Sequence, residues 1–390
     1  MANKKQQILR INKLIIFLLI FSFCGGGSET SETVEEAQDT TTTTEAQDTT
    51  TTTEAQDTTT TTEAQDTTTT TEVQDTTTTT EAQDTTTTTE VQDTSTFESW
   101  ANIKGPPMIY AASDVSQSTI DKTLKWYEIA SSAWGEFGPA EIWIVGNSKE
   151  TVSDLEDLWC DIRTEKDKKW NKEWDCANEY WSPFARYVDD GGAAVSTYYR
   201  DYIDYYFFLV TMGPKYPSPD EDDYKVVTMH EYFHIYQHAH ISNIDDEGPS
   251  SAIRDEKMGG ADKPWFAEGG AEYMAQLLYS RQPNVRSNYL KEIMDRKAYS
   301  IGEYLDYGKP LKDLTYSDPV QTYDIGTWLV AYIVDKVGEE NFRVNFYKDL
   351  DGLGFEESFK KHFGMGSDQL ISEFDEWIKQ PVDELLKIIP

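Results

Sequence analysis

The sequence predicts an α+β fold: a small mixed β-sheet subdomain followed by a mainly α-helical subdomain. Three observations carry that expectation. The first quarter of the 390-residue chain is low in complexity, so the folded part starts near Phe97 and holds most of the 11 Trp, 23 Tyr and 16 Phe. About 290 residues are enough for a sizeable core. Between 108 and 212 short apolar runs alternate with helical patterns, and beyond 222 the strand signals stop.

Taken in order, 108–111 (Met-Ile-Tyr-Ala) and 141–145 (Glu-Ile-Trp-Ile-Val) read as strands. A helical pattern over 116–133 separates them, and a second covers 149–160. The nearly continuous apolar and aromatic run 203–212 reads as a strand, with a shorter one over 193–199 before it. Helical patterns then follow at 223–240, 265–280, 286–298, 323–337, 339–349, 354–363 and 367–379. The folded part thus divides into an α/β subdomain, 97–222, and a helical subdomain, 223–390.

The N-terminal quarter has a different logic. Residues 14–23 form an apolar run that follows a basic stretch and ends at Cys24, before three glycines. The pattern over 1–24 reads as an export signal, and a run of ten residues is about half of the roughly 20 needed to span a bilayer as a helix. A cysteine at this place resembles the lipobox of bacterial lipoproteins, which implies acylation of Cys24, a lipid anchor to a membrane and a chain facing the periplasm or cell exterior. Phe23 departs from that pattern, which has a small residue there, so an uncleaved anchor and a plain secretory signal stay open beside it. From Glu36 a nine-residue unit, Glu-Ala/Val-Gln-Asp followed by five threonines, occurs seven times, the seventh copy degenerating at 94–96. One Ala or Val in nine residues cannot bury enough apolar area to offset chain entropy, so 25–96 reads as a disordered stalk.

The formal charge is −36. Residues 1–28 carry four bases and no acid, and 29–98 carry eighteen acids and no base, which leaves −22 for 99–390. A surface of that sign repels phosphate backbones, and no basic stripe offsets it, so nucleic acid is excluded as a partner. Metal ions and cationic ligands are not. If Cys24 carries lipid, Cys160 and Cys176 remain as a pair in an oxidising compartment. A disulfide is then expected, closing a loop of about 15 residues and stabilising the fold by up to roughly 3 kcal/mol, with two free thiols as the alternative. The acidic runs 220–223 and 245–247 match no defined calcium loop and read as solvated acids.

His230-Glu231-Tyr232-Phe233-His234 lies inside the helical pattern 223–240, in a chain with five histidines. Residues four apart on a helix share a face one turn apart, so both imidazoles can converge on one metal ion. Glu231 then stands beside them as a general base for a water activated by the metal. His238 and His240 follow on the same helix and read as packing or surface histidines. The next helical pattern holds Trp265-Phe266-Ala267-Glu268-Gly269-Gly270-Ala271-Glu272-Tyr273.

This combination resembles the gluzincin zinc metallopeptidases, which include thermolysin-like and aminopeptidase N-like enzymes. The resemblance covers about 223–380 and implies zinc as cofactor, with the metal site in a cleft between the two subdomains. It implies Glu268 as third zinc ligand beside His230 and His234, and Glu272 as the carboxylate that orients a ligand histidine. Thr322-Tyr323-Asp324-Ile325-Gly326 and Gly338-Glu339-Glu340-Asn341-Phe342 are similar to a further aminopeptidase block, in which the tyrosine stabilises the oxyanion. Tyr323 is the candidate for that role. No glutamate stands in 191–200, where the aminopeptidases read a free amine, so exopeptidase action is not implied. The expectation is an exported peptidase acting on peptides or proteins. The alternative is a surface binding or adhesive module that keeps a structural metal site.

Overall fold

The computed structural model describes residues 105–166, 170–176, 184–198, 207–214, 225–241, 251–260 and 262–390. The expected signal with Cys24, the repeat tract 25–96 and the acidic runs at 220–223 and 245–247 lie outside the described residues. Among the described residues no helix is long and apolar enough to cross a membrane.

The architecture is α+β, with a four-stranded mixed sheet and a larger helical part. Strands β1 (Met108–Ala111), β2 (Ala140–Ile144), β3 (Ala193–Tyr198) and β4 (Phe207–Met212) lie in the order β1-β2-β4-β3. The first three in that order run parallel, and β3 is antiparallel to β4 at the edge. Every residue of β2 and β4 is buried, as expected for central parallel strands covered on both faces.

The period-2 alternation of these strands separates two cores. Ile142, Ile144, Phe208, Val210 and Met212 face the large core with helix α1 (Gln117–Trp134). Trp143, Val145, Phe207 and Leu209 face a smaller one with α2 (Lys149–Lys166). Ser116 caps α1, its Oγ accepting from the Thr119 backbone N–H. Helix α2 runs six residues beyond the expected end at 160, because Cys160 and Arg163 are both tied down. Cys160 is bonded to Cys176, and Arg163 reaches inward to Glu141 on β2. The short helices α3 (Lys172–Asp175) and α4 (Ala185–Asp190) complete this side. Neither is long enough to show a period in the sequence.

Beyond β4 the described chain is helical: α5 (Lys225–Ala239), α6 (Ser251–Lys257), α7 (Pro264–Ser280), α8 (Tyr289–Lys297), α9 (Tyr299–Tyr307) and α10 (Thr322–Val337). After a π-helical turn at Asn341–Asn345 come α11 (Phe346–Leu353), α12 (Phe355–Phe363), α13 (Ser367–Trp377) and α14 (Val382–Leu385). The stretch between the helical patterns 223–240 and 265–280 therefore contains a further helix, α6. Helix α5 is buried from Val226 to Ala239 on every side, so it is the central helix of the large core. Helix α7 begins with Pro264 at its first position, where the missing N–H leaves no helical bond unmade. It crosses α10 at two glycines. A Cβ on Gly269 would stand 2.4 Å from the Gly326 backbone, and one on Gly326 would stand 2.6 Å from the Trp265 carbonyl oxygen. Only glycine at both positions lets the two backbones meet this closely.

Candidate metal centre

Helices α5 and α7 bring His230, His234 and Glu268 together. The two histidine Nε2 atoms are 3.1 Å apart, and each lies 3.2 Å from Oε2 of Glu268. No other group of three or more His, Cys, Asp or Glu side chains among the described residues could hold a metal ion.

The outer nitrogens explain why the inner ones converge. Nδ1 of His230 lies 3.1 Å from Oε2 of Glu272, one turn beyond Glu268 on α7. A carboxylate only accepts, so the proton sits on Nδ1 and Nε2 keeps its lone pair. Nδ1 of His234 lies 2.8 Å from Oε1 of Gln237. Gln237 donates from Nε2 to the Ala267 carbonyl at 3.0 Å, which turns its amide oxygen towards His234. When neutral, both histidines thus present unprotonated Nε2 atoms to a carboxylate oxygen. Three acceptors facing one another at this distance repel unless a cation stands among them.

The spacing suits a metal ion. Three atoms bound at about 2.0–2.1 Å with tetrahedral angles stand roughly 3.3 Å apart, close to the separations found here. A second feature agrees: Oε2 of Glu231 is buried without a hydrogen-bond partner. An orphaned carboxylate oxygen beside three converging ligands fits a group that belongs to the metal and its water.

The electrostatics follow from the same contacts. Burial alone lowers the pKa of His230, but bonds to Glu268 and Glu272 outweigh it and leave the group well above its ordinary value. Burial likewise opposes protonation of His234, and the Glu268 charge again wins. Burial raises Glu231, with the histidines opposing it. Glu268 and Glu272 are held well below the usual carboxylate range, against burial, by His234 and His230 for the first and by Lys297 and His230 for the second. In the absence of a metal the cluster therefore takes up a proton as its cation.

Further residues complete the site. Oε1 of Glu272 accepts from Lys297 Nζ at 2.8 Å and from Gln276 Nε2 at 3.0 Å. Lys297 also reaches Oδ1 of Asp324 at 3.0 Å, and Asp324 adjoins Tyr323 in the first turn of α10. The Tyr316 hydroxyl, in the segment before α10, donates to Oε1 of Glu268 at 2.7 Å. The Tyr323 ring stands 6.1 Å from that of Tyr316. Sequence reasoning missed Gln237, Gln276, Lys297 and Tyr316. Gln237 alone carried a signal, three residues after His234 and therefore on its face of the helix. His238 is buried, with its ring between Thr197 of β3 and Asp255 of α6 at 3.2 Å from each. His240 bonds the Tyr236 carbonyl in an aromatic cluster with Phe137 and Tyr347.

No family model, curated protein or solved structure matches the chain.

Proposed function

We propose that the chain is a zinc-dependent peptidase of the gluzincin type, exported and anchored by lipid at Cys24. The observation that carries the reading is the buried, unpartnered Oε2 of Glu231 beside three converging ligand atoms. A structural metal site needs ligands but no general base, and two imidazoles with one carboxylate leave a coordination position open.

His230 Nε2, His234 Nε2 and Glu268 Oε2 would hold the ion. Zinc bound there would polarise a substrate carbonyl and bring the pKa of a coordinated water towards neutrality. Glu231 takes the proton from the attacking water and delivers it to the leaving amine. Its raised pKa suits both transfers, since a general base works best when its pKa approaches the operating pH. Glu272 and Gln237 hold the two imidazoles in the tautomer that binds metal. Tyr323, on the helix that crosses α7 at Gly269, is the donor to the oxyanion.

The choice of a peptide substrate draws support from β3. It is one of the two edge strands of the sheet and touches helix α5 through Thr197 and His238. An extended peptide can pair with such an edge through its main chain.

The test is a mixed peptide library analysed by mass spectrometry with native protein and Glu231→Gln. Native protein should cleave. The variant should keep its zinc while turnover falls by at least roughly 10²-fold, as for a lost general base. Zinc-loaded native protein that cleaves nothing would leave a binding module with a structural metal site as the better account.

A further inference from the structure

We infer that Tyr316 is a positioning residue for the third metal ligand: its phenol holds Oε1 of Glu268 so that Oε2 alone faces the metal. The inference rests on the metal-site reading above and adds a residue that no motif singles out.

A glutamate can bind a metal through one oxygen or through both, and rotation about its last bond exchanges the two. In this protein the two oxygens have different surroundings. Oε2 lies 3.2 Å from both histidine Nε2 atoms, and Oε1 accepts the Tyr316 hydroxyl at 2.7 Å. A phenol facing a carboxylate must donate, so this bond is charge-assisted and opposes rotation.

The segment that carries Tyr316 is braced well beyond what an ordinary loop requires. Leu311, Leu314 and Val320 are buried on either side of it. Between them Asp318 closes a turn, its Oδ2 accepting from the backbone N–H of Thr315 at 2.7 Å and from the Thr315 hydroxyl at 3.0 Å. The same carboxylate takes the Tyr307 hydroxyl at 2.7 Å and Lys309 Nζ at 2.8 Å. Asp318 therefore ties the end of α9 to the turn that aims the phenol. A ligand oriented by a braced outer partner binds its metal more tightly, and removal of such a partner typically weakens metal binding by roughly 10- to 100-fold.

The decisive experiment is zinc affinity, measured on the purified protein by competition with a chelating dye, for native, Tyr316→Phe and Tyr323→Phe. Tyr316→Phe should weaken zinc binding by roughly 10- to 100-fold, whereas Tyr323→Phe should bind zinc as native protein does. The cobalt-substituted Tyr316→Phe protein should also show an altered visible absorption band, because a released Glu268 is free to bind through both oxygens. A native dissociation constant with a native cobalt spectrum overturns the inference, as does a loss confined to kcat at saturating zinc. Should Tyr316→Phe fail to fold, Asp318→Asn decides, with a smaller loss of affinity expected and native affinity overturning the inference. Native protein that binds no zinc would instead sink the metal-site reading, so the two failures are distinguishable.

Discussion

Two clusters of buried charge belong to the two faces of the sheet, and they are built differently. On the α2 side, Glu141 is completely buried and faces two cations, Arg163 and Lys166. Arg163 Nη2 reaches both of its oxygens, at 2.5 and 2.6 Å, and the Trp143 indole donates to it at 3.1 Å. The guanidinium also lies over the rings of Trp159 and Phe207. This cluster supplies its own counter-charge. On the α5 side, Glu231, Glu268 and Glu272 are gathered with two histidines whose inner nitrogens face one another, and Lys297 serves Glu272 and Asp324 together. Lys297 serves the outer carboxylates, so where its ligand atoms converge that cluster draws positive charge from a bound proton or a bound cation. The difference separates a structural ion pair from a candidate site: the first is complete with the chain alone, and the second has the geometry to be completed by a bound cation.

The sharpest way to break this comparison is to damage the self-sufficient cluster. Arg163→Met leaves Glu141 buried with a weakened partner set, and loss of one member of a buried pair costs about 3–5 kcal/mol. Denaturant unfolding should show that loss with and without zinc alike, while zinc affinity stays native. A variant as stable as native protein would mean that Glu141 and Arg163 do not depend on one another, and the contrast would fail.

A smaller effect sharpens the other side. Glu272→Gln keeps an acceptor for His230 Nδ1 but removes the charge that fixes the proton there. Zinc affinity should fall by roughly 10- to 100-fold, with metal-free stability changed far less than by Arg163→Met. Unchanged affinity would show that the Glu272 contact, at 3.1 Å, is packing and not orientation.

The metal cluster and the internal cluster were also unequally legible in the sequence. His230 and His234 are four residues apart, and Glu268 and Glu272 again four apart, so local helical geometry alone places each pair on one face. Most element positions were legible for the same reason: β1 falls at Met108–Ala111 as expected, and α5, α7, α10 and α12 start and stop within two residues of their periodic patterns. What was not legible depends on contacts between distant segments. Tyr316 lies 48 residues from Glu268, and Lys297 lies 25 from Glu272, with no periodicity linking them. The salt bridge from Arg163 to Glu141 spans 22 residues and explains why α2 outruns its pattern. Helix α6 was hidden because seven residues hold too few apolar positions to show a period, and α9 because Gly302 and the exposed Tyr299 and Tyr307 interrupt its pattern. Strand order was not legible either, since the placement of β4 between β2 and β3 is a property of the assembled sheet.

The central claim is that the α5–α7 cluster is completed by a metal ion, and zinc content measured against pH tests it most directly. Near pH 7.5 the purified protein should hold one zinc per chain by elemental analysis, and folded His234→Ala and Glu268→Ala variants should hold none. The carboxylates raise His230 and His234 above the ordinary histidine value, so protons compete with the metal already at and above that value. Zinc should therefore be released progressively as the pH is lowered, and its affinity should keep rising with pH until both histidines are neutral without it. One zinc per chain in native protein, absent from both variants and lost on acidification, is the predicted result. Full zinc content in folded His234→Ala or Glu268→Ala protein would contradict the account.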